Sequence, residues 1–113
     1  MHEMSLAEGI LQIVEDTARA NAAAQVRVVL LEIGALSHVE VQALRFCFDA
    51  VTRGTVANGA RLDVQATPGR AWCMPCGESV ALARLGEACP LCGGYQLQVT
   101  QGEEMKVKEI EVA

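Results

Sequence analysis

A chain of 113 residues, half of them apolar, can build one ordinary hydrophobic core and leaves enough chain for a satellite that needs another source of stability. Nine Lys and Arg against fourteen Asp and Glu give a formal net charge of −5, which argues against nucleic-acid binding, since that draws most of its affinity from clustered basic residues. No apolar run approaches the roughly 18 residues of a membrane span, and Met1-His2-Glu3-Met4 lacks the basic start of a secretory signal. We therefore expect a cytoplasmic protein with neither nucleic-acid nor membrane partners.

The elements follow in order. A short strand fits His2-Glu3-Met4, and Ser5-Leu6-Ala7-Glu8 then reads as a capping box, the serine accepting from an early backbone N–H and the glutamate reaching back. The helix this predicts runs to about Ala23. Leu6, Ile10, Ile13, Val14 and Ala18 form its apolar stripe, while Glu8, Gln12, Glu15, Asp16 and Arg19 take the wet side. Residues 26–33 are rich in β-branched side chains and apolar on both faces, the pattern of a central strand covered on each side. Gly34 ends it.

A second capping box, Ser37-His38-Val39-Glu40, predicts a helix with Val41, Leu44, Phe48 and Val51 buried, stopping near Gly54. Cys47 falls within a turn of Leu44 and Val51 and reads as a small core residue. His38 reads as an exposed residue of the box, with a supplementary metal ligand as the alternative. Residues 61–67 alternate as a half-buried strand until Pro68-Gly69. Near the end, Met105 and Val107 alternate with Lys106 and Lys108, but Ile110 and Val112 fall out of phase, which suggests a β-bulge near Glu109.

Between these strands lie Cys73-Met74-Pro75-Cys76 and Cys89-Pro90-Leu91-Cys92, each followed at once by glycine. Two Cys-x-x-Cys pairs at this separation can bring four thiolates to one point, and the glycines suit tight turns around a metal. Zinc suits an all-thiolate tetrahedron best, with a rubredoxin-like iron site as the alternative. Disulfides or redox dithiols are the other reading, but neither pair sits in a thioredoxin-type strand–helix context. Four thiolates leave no open coordination position, so the zinc reads as structural. Trp72 reads as a hydrophobic lid on the module.

The fold class expected is α+β, two helices packed on a small three-stranded mixed sheet, with an inserted zinc-ribbon-like module of four cysteines. Residues 1–69 plus 95–113 make the main domain and residues 70–94 the zinc-binding module. His2 is a weaker feature. A free amino terminus, the amide and imidazole of residue 2 and the amide of Glu3 can form a square plane of nitrogens suited to Ni(II) or Cu(II), or His2 is simply part of a solvated terminus. No nucleophile elbow, phosphate loop or general-base histidine is present.

Taken together, Met1-His2-Glu3-Met4-Ser5, Ile33-Gly34-Ala35-Leu36-Ser37, Leu44-Arg45-Phe46 with Phe48, the two Cys-x-x-Cys pairs, and Ile110-Glu111-Val112 resemble the hydrogenase nickel-incorporation family, HypA and its relative HybF. The resemblance spans the whole chain, departing at Val41, where the family pattern has proline. It implies a non-enzymatic metallochaperone that helps deliver nickel to the [NiFe]-hydrogenase large subunit, acting with a HypB-like GTPase, and in some relatives serving urease maturation. It places transferable Ni(II) on the Met1 amine, His2 and Glu3, and structural Zn(II) on Cys73, Cys76, Cys89 and Cys92. The alternative is a zinc-ribbon interaction adaptor with no second metal.

Overall fold

A computed structural model describes residues 2–113. Helix α1 (His2–Ala20) is followed by strand β1 (Val26–Gly34), helix α2 (Val41–Val51), and strands β2 (Arg61–Thr67), β3 (Arg70–Cys73), β4 (Glu78–Ala81), β5 (Leu97–Gln101) and β6 (Met105–Val112). The strands form two three-stranded sheets, ordered β2-β1-β6 and β4-β3-β5. The first holds the three strands expected from sequence; the second is an addition. By compactness the chain divides into residues 1–31, 39–64 and 107–113, and residues 32–38 and 65–106. Residues 70–94 lie wholly inside the second unit.

In the first unit α1 packs on α2. Ala7, Ile10, Val14 and Ala18 of α1 are buried together with Leu44, Cys47 and Phe48 of α2, at the helical spacing that makes one apolar stripe. Strand β1 adds Val26, Val29 and Leu31. Cys47, 1% exposed, is the core residue expected. Thr52 is the one buried polar side chain among the described residues, and its Oγ1 donates to the Phe48 carbonyl at 2.8 Å, so no hydroxyl is stranded in the core.

Several local expectations are corrected. Residues 2–4 are helical, and α1 begins a turn before Ser5, which is an exposed residue inside the helix and caps nothing. Ile13 is 49% exposed: buried positions 7, 10, 14 and 18 set the stripe, and position 13 lies beside it. The helix stops at Ala20, where the Asn21 side chain donates to the Thr17 carbonyl at 2.8 Å and Ala22 turns left-handed at φ 51°. In the second box Ser37 Oγ donates to the Gly34 carbonyl at 2.8 Å, and the N-cap is Glu40, whose carboxylate accepts from Gln42 N–H at 3.0 Å. Serine was thus drawn into the preceding turn, and a longer carboxylate took the cap. Strand β1 buries Val29, Leu31 and Ile33 but leaves Val28, Leu30 and Glu32 half-buried, so it is fully covered on one side only. Along β6 the exposure slips phase as the sequence does, with Met105, Val107 and Ile110 half-buried between exposed Lys and Glu.

In the second unit three glycines allow backbones to meet. A Cβ at Gly34 would be driven into the carbonyl of Gly102, one at Gly69 into the carbonyl of Leu82, and Gly102 itself has φ 108°. Around this crossing Gly34 N–H donates to Glu104 O, Ala35 N–H to Thr67 O and Leu36 N–H to Gly102 O, each at 2.8 Å. Leu36 is thereby inserted among Ala71, Leu82, Leu97 and Val99. The short stretch after β1 therefore belongs to the core of the metal-holding unit.

Candidate metal centre

Each Cys-x-x-Cys pair is one tight turn, and the two are built alike. Cys73 ends β3, and its carbonyl accepts from Gly77 N–H at 2.8 Å; the Cys89 carbonyl accepts from Gly93 N–H at 2.9 Å. Both glycines are left-handed, with φ 64° and 74°, a conformation that costs an L-residue about 1–2 kcal/mol. The glycine after each pair is explained by that geometry.

Register brings the first turn into place. Strand β3 pairs antiparallel with β4, Cys73 opposite Glu78, and with β5, Cys73 opposite Leu97. Alternation along β3 puts Ala71 and Cys73, both 0% exposed, on the inner side and Trp72, 41% exposed, on the outer. Trp72 is therefore no lid. Cover comes instead from Val80 and Leu97, which pack around Cys73, Cys89 and Cys76.

The four sulfurs all lie within 4.8 Å of one another, and none forms a disulfide. Cys73 and Cys92 Sγ are 3.6 Å apart, Cys76 and Cys89 Sγ 3.9 Å. A tetrahedron with metal–sulfur bonds of about 2.3 Å has edges of about 3.8 Å, which these two sulfur pairs match. Backbone donors also face the sulfurs: Leu91 N–H points at Cys89 Sγ and Gly94 N–H at Cys92 Sγ, each at 3.4 Å. The backbone N–H of Cys92 draws the Cys89 thiol down to about 7, whereas contact with the Cys73 side chain pushes Cys76 up to about 12. A metal must displace these protons, so its uptake rises with pH.

Among the described residues these cysteines are the one group of potential ligands whose donor atoms converge. His2 and His38 are both exposed, outside that group. Met1 lies outside the described residues. His2 and Glu3 open α1, where N–H groups have no intrahelical acceptor, and Glu3 Oε2 accepts from Glu40 N–H at 3.4 Å at the head of α2. Sequence reasoning missed the N–H···S donors and the Val80–Leu97 cover; the Gly93-Gly94 pair was the available signal for the former, since a bare backbone can approach a sulfur closely.

Fold and cage define a small α+β metal-binding protein with a tetrathiolate centre. A family model described as hydrogenase/urease nickel incorporation, metallochaperone, hypA matches residues 1–112. Proteins named hydrogenase maturation factor HypA from Albidiferax ferrireducens and Dechloromonas aromatica are 62% and 59% identical over 112 residues, covering 99% of this chain and of each relative. The solution structure of the Ni metallochaperone HypA from Helicobacter pylori aligns with a TM-score of 0.70 at 23% identity, over 97% of this chain and 96% of that one, a likeness that bears on fold alone. The chain belongs to the HypA family of nickel-incorporation metallochaperones for hydrogenase maturation. No helix among the described residues is long and apolar enough to cross a membrane.

Proposed function

We propose that this chain is a nickel carrier that holds Ni(II) on the Met1 amine, His2 and Glu3, keeps a structural Zn(II) on Cys73, Cys76, Cys89 and Cys92, and catalyses no reaction itself. The observation that carries the reading is the saturated cage: four converging sulfurs fill the coordination sphere of one ion, so a second metal, the nickel cargo, needs a second site. Exposed His2 at the head of α1 supplies an imidazole beside amides that no helical hydrogen bond claims. Residues 1–69 plus 95–113 are then the nickel-binding part and residues 70–94 the zinc-binding module. The client is the [NiFe]-hydrogenase large subunit, with urease a second client, and the handover involves a HypB-like GTPase in the cytoplasm. Copper binds such nitrogen donors more tightly than nickel, so selectivity rests on metal supply and on the partner.

The test is calorimetric titration of untagged protein with Ni(II), alongside zinc analysis, for the wild type, His2→Ala and a variant extended by one residue at the amino terminus. Both changes are expected to abolish tight one-to-one nickel binding while zinc stays bound, and wild-type affinity is expected to fall as pH falls, because amine, imidazole and amide must all lose protons. Unchanged nickel affinity in both variants would sink the proposed site.

A further inference from the structure

The four cysteines are chemically equivalent as ligands but not as neighbours of solvent. Cys73 and Cys89 are 0% and 2% exposed, Cys76 is half-buried, and Cys92 is exposed. The apolar cover follows the same order: Val80 and Leu97 pack around Cys73, Cys89 and Cys76, and Cys92 stands outside that cluster. Its flanks are open too. Leu91 and Tyr95 are 63% and 73% exposed, and a Cβ at Gly93 would meet nothing within 4 Å. Gly94 borders the sulfur without covering it, since a Cβ placed there would lie 3.4 Å from Cys92 Sγ.

We infer that the cage has a single door, Cys92, through which metal enters and leaves by exchange with an incoming soft thiolate ligand. The three covered sulfurs hold the ion while the Cys92–metal bond yields. The incoming sulfur forms its bond to the metal as the Cys92 sulfur leaves with its electron pair, and no oxidant is required. A dissociated Cys92 thiolate is in contact with solvent, whereas a dissociated Cys73 or Cys89 would be trapped against Val80 and Leu97 with no incoming ligand able to reach the ion. The same asymmetry makes Cys92 the first modification site for soft electrophiles, since attack needs an accessible thiolate. This inference rests on the zinc reading above.

The experiment uses the full-length zinc-loaded chain, with one-to-one zinc confirmed before labelling. It is treated with limiting iodoacetamide, whose carbon bonds to sulfur as iodide leaves, giving a neutral thioether that no longer serves as a thiolate ligand. Cleavage after Arg70, Arg84 and Lys106 separates Cys73 and Cys76 from Cys89 and Cys92, and fragmentation assigns the label within each peptide. Cys92 is expected to react roughly tenfold faster than Cys73 or Cys89 and ahead of Cys76. Buried Cys47 reports unfolding. In parallel, Gly94→Val, which keeps the N–H facing Cys92 Sγ and sits at a position free of left-handed strain, is loaded to one-to-one zinc and is then expected to transfer it to a thiol chelator at least about threefold more slowly. Earlier labelling of Cys76, simultaneous labelling of all four cysteines, labelling of Cys47 in step with the cage, or unchanged transfer in Gly94→Val would each overturn the inference and leave the zinc reading standing. A chain that binds no zinc at these cysteines would overturn both.

Discussion

The two compact units reach stability by different means. The first buries Phe48, Ile10, Leu31, Leu44, Val14, Val26 and Val29, all below 2% exposure, an aliphatic and aromatic core of the ordinary kind. The second has two small clusters, Leu36 with Ala71 and Leu82, and Cys73 with Val80 and Cys89. Two of the six residues in these clusters are themselves ligands, so its core and its metal cage share residues. Apolar burial in so small a unit cannot offset the entropy of ordering its turns, and a tetrathiolate ion supplies the missing stability. Stability drawn from burial and stability drawn from coordination should therefore fail under different insults.

The largest effect tests the second unit. Cys73→Ser, or removal of metal by a strong chelator, is expected to strip amide-exchange protection from β3, β4 and β5 while α1 and α2 stay protected; structural zinc in small domains is worth on the order of 10 kcal/mol. Retained protection in β3 after metal loss would mean that this unit stands on apolar contacts after all. The mirror change is Phe48→Ala, expected to cost the first unit about 3–5 kcal/mol in denaturant unfolding, with the stoichiometry of zinc in the folded protein unchanged. Loss of zinc in parallel with that helix core would break the comparison. The smallest effect concerns Glu104, whose carboxylate is held below its usual range by its own N–H and by that of Gly102. A depressed folded-state value means stability that is present above the ordinary carboxylate range and lost as pH falls from there through the lower folded-state value. Glu104→Gln should therefore lie slightly below wild type in stability near neutrality and converge with it in acid, a difference readable in thermal unfolding across pH.

Much of this was legible in the chain. Helix α2 and strand β2 follow from the spacing of Leu44 and Phe48 and the alternation from Leu62, and β1 from the β-branched run of residues 26–33, because spacing and propensity are local properties. The Cys–Gly turns were legible for the same reason, their chemistry being complete within five residues. Capping was not, because Ser5 lies inside α1 rather than at its start and Ser37 donates to the Gly34 carbonyl instead of capping α2. Nor was the outward turn of Trp72, which depends on which face of β3 the paired strands leave open.

The sequence by itself determined that four thiolates would meet and that two helices and a sheet would form, since chelate spacing and hydrophobic period act over a few residues. Only the tertiary structure decided that residues 32–38 would join the metal-holding unit through the Gly34–Gly69–Gly102 crossing, and that Cys92 alone among the four ligands would be left exposed. Close backbone approach and burial are set by segments distant in the chain. No local pattern encodes them.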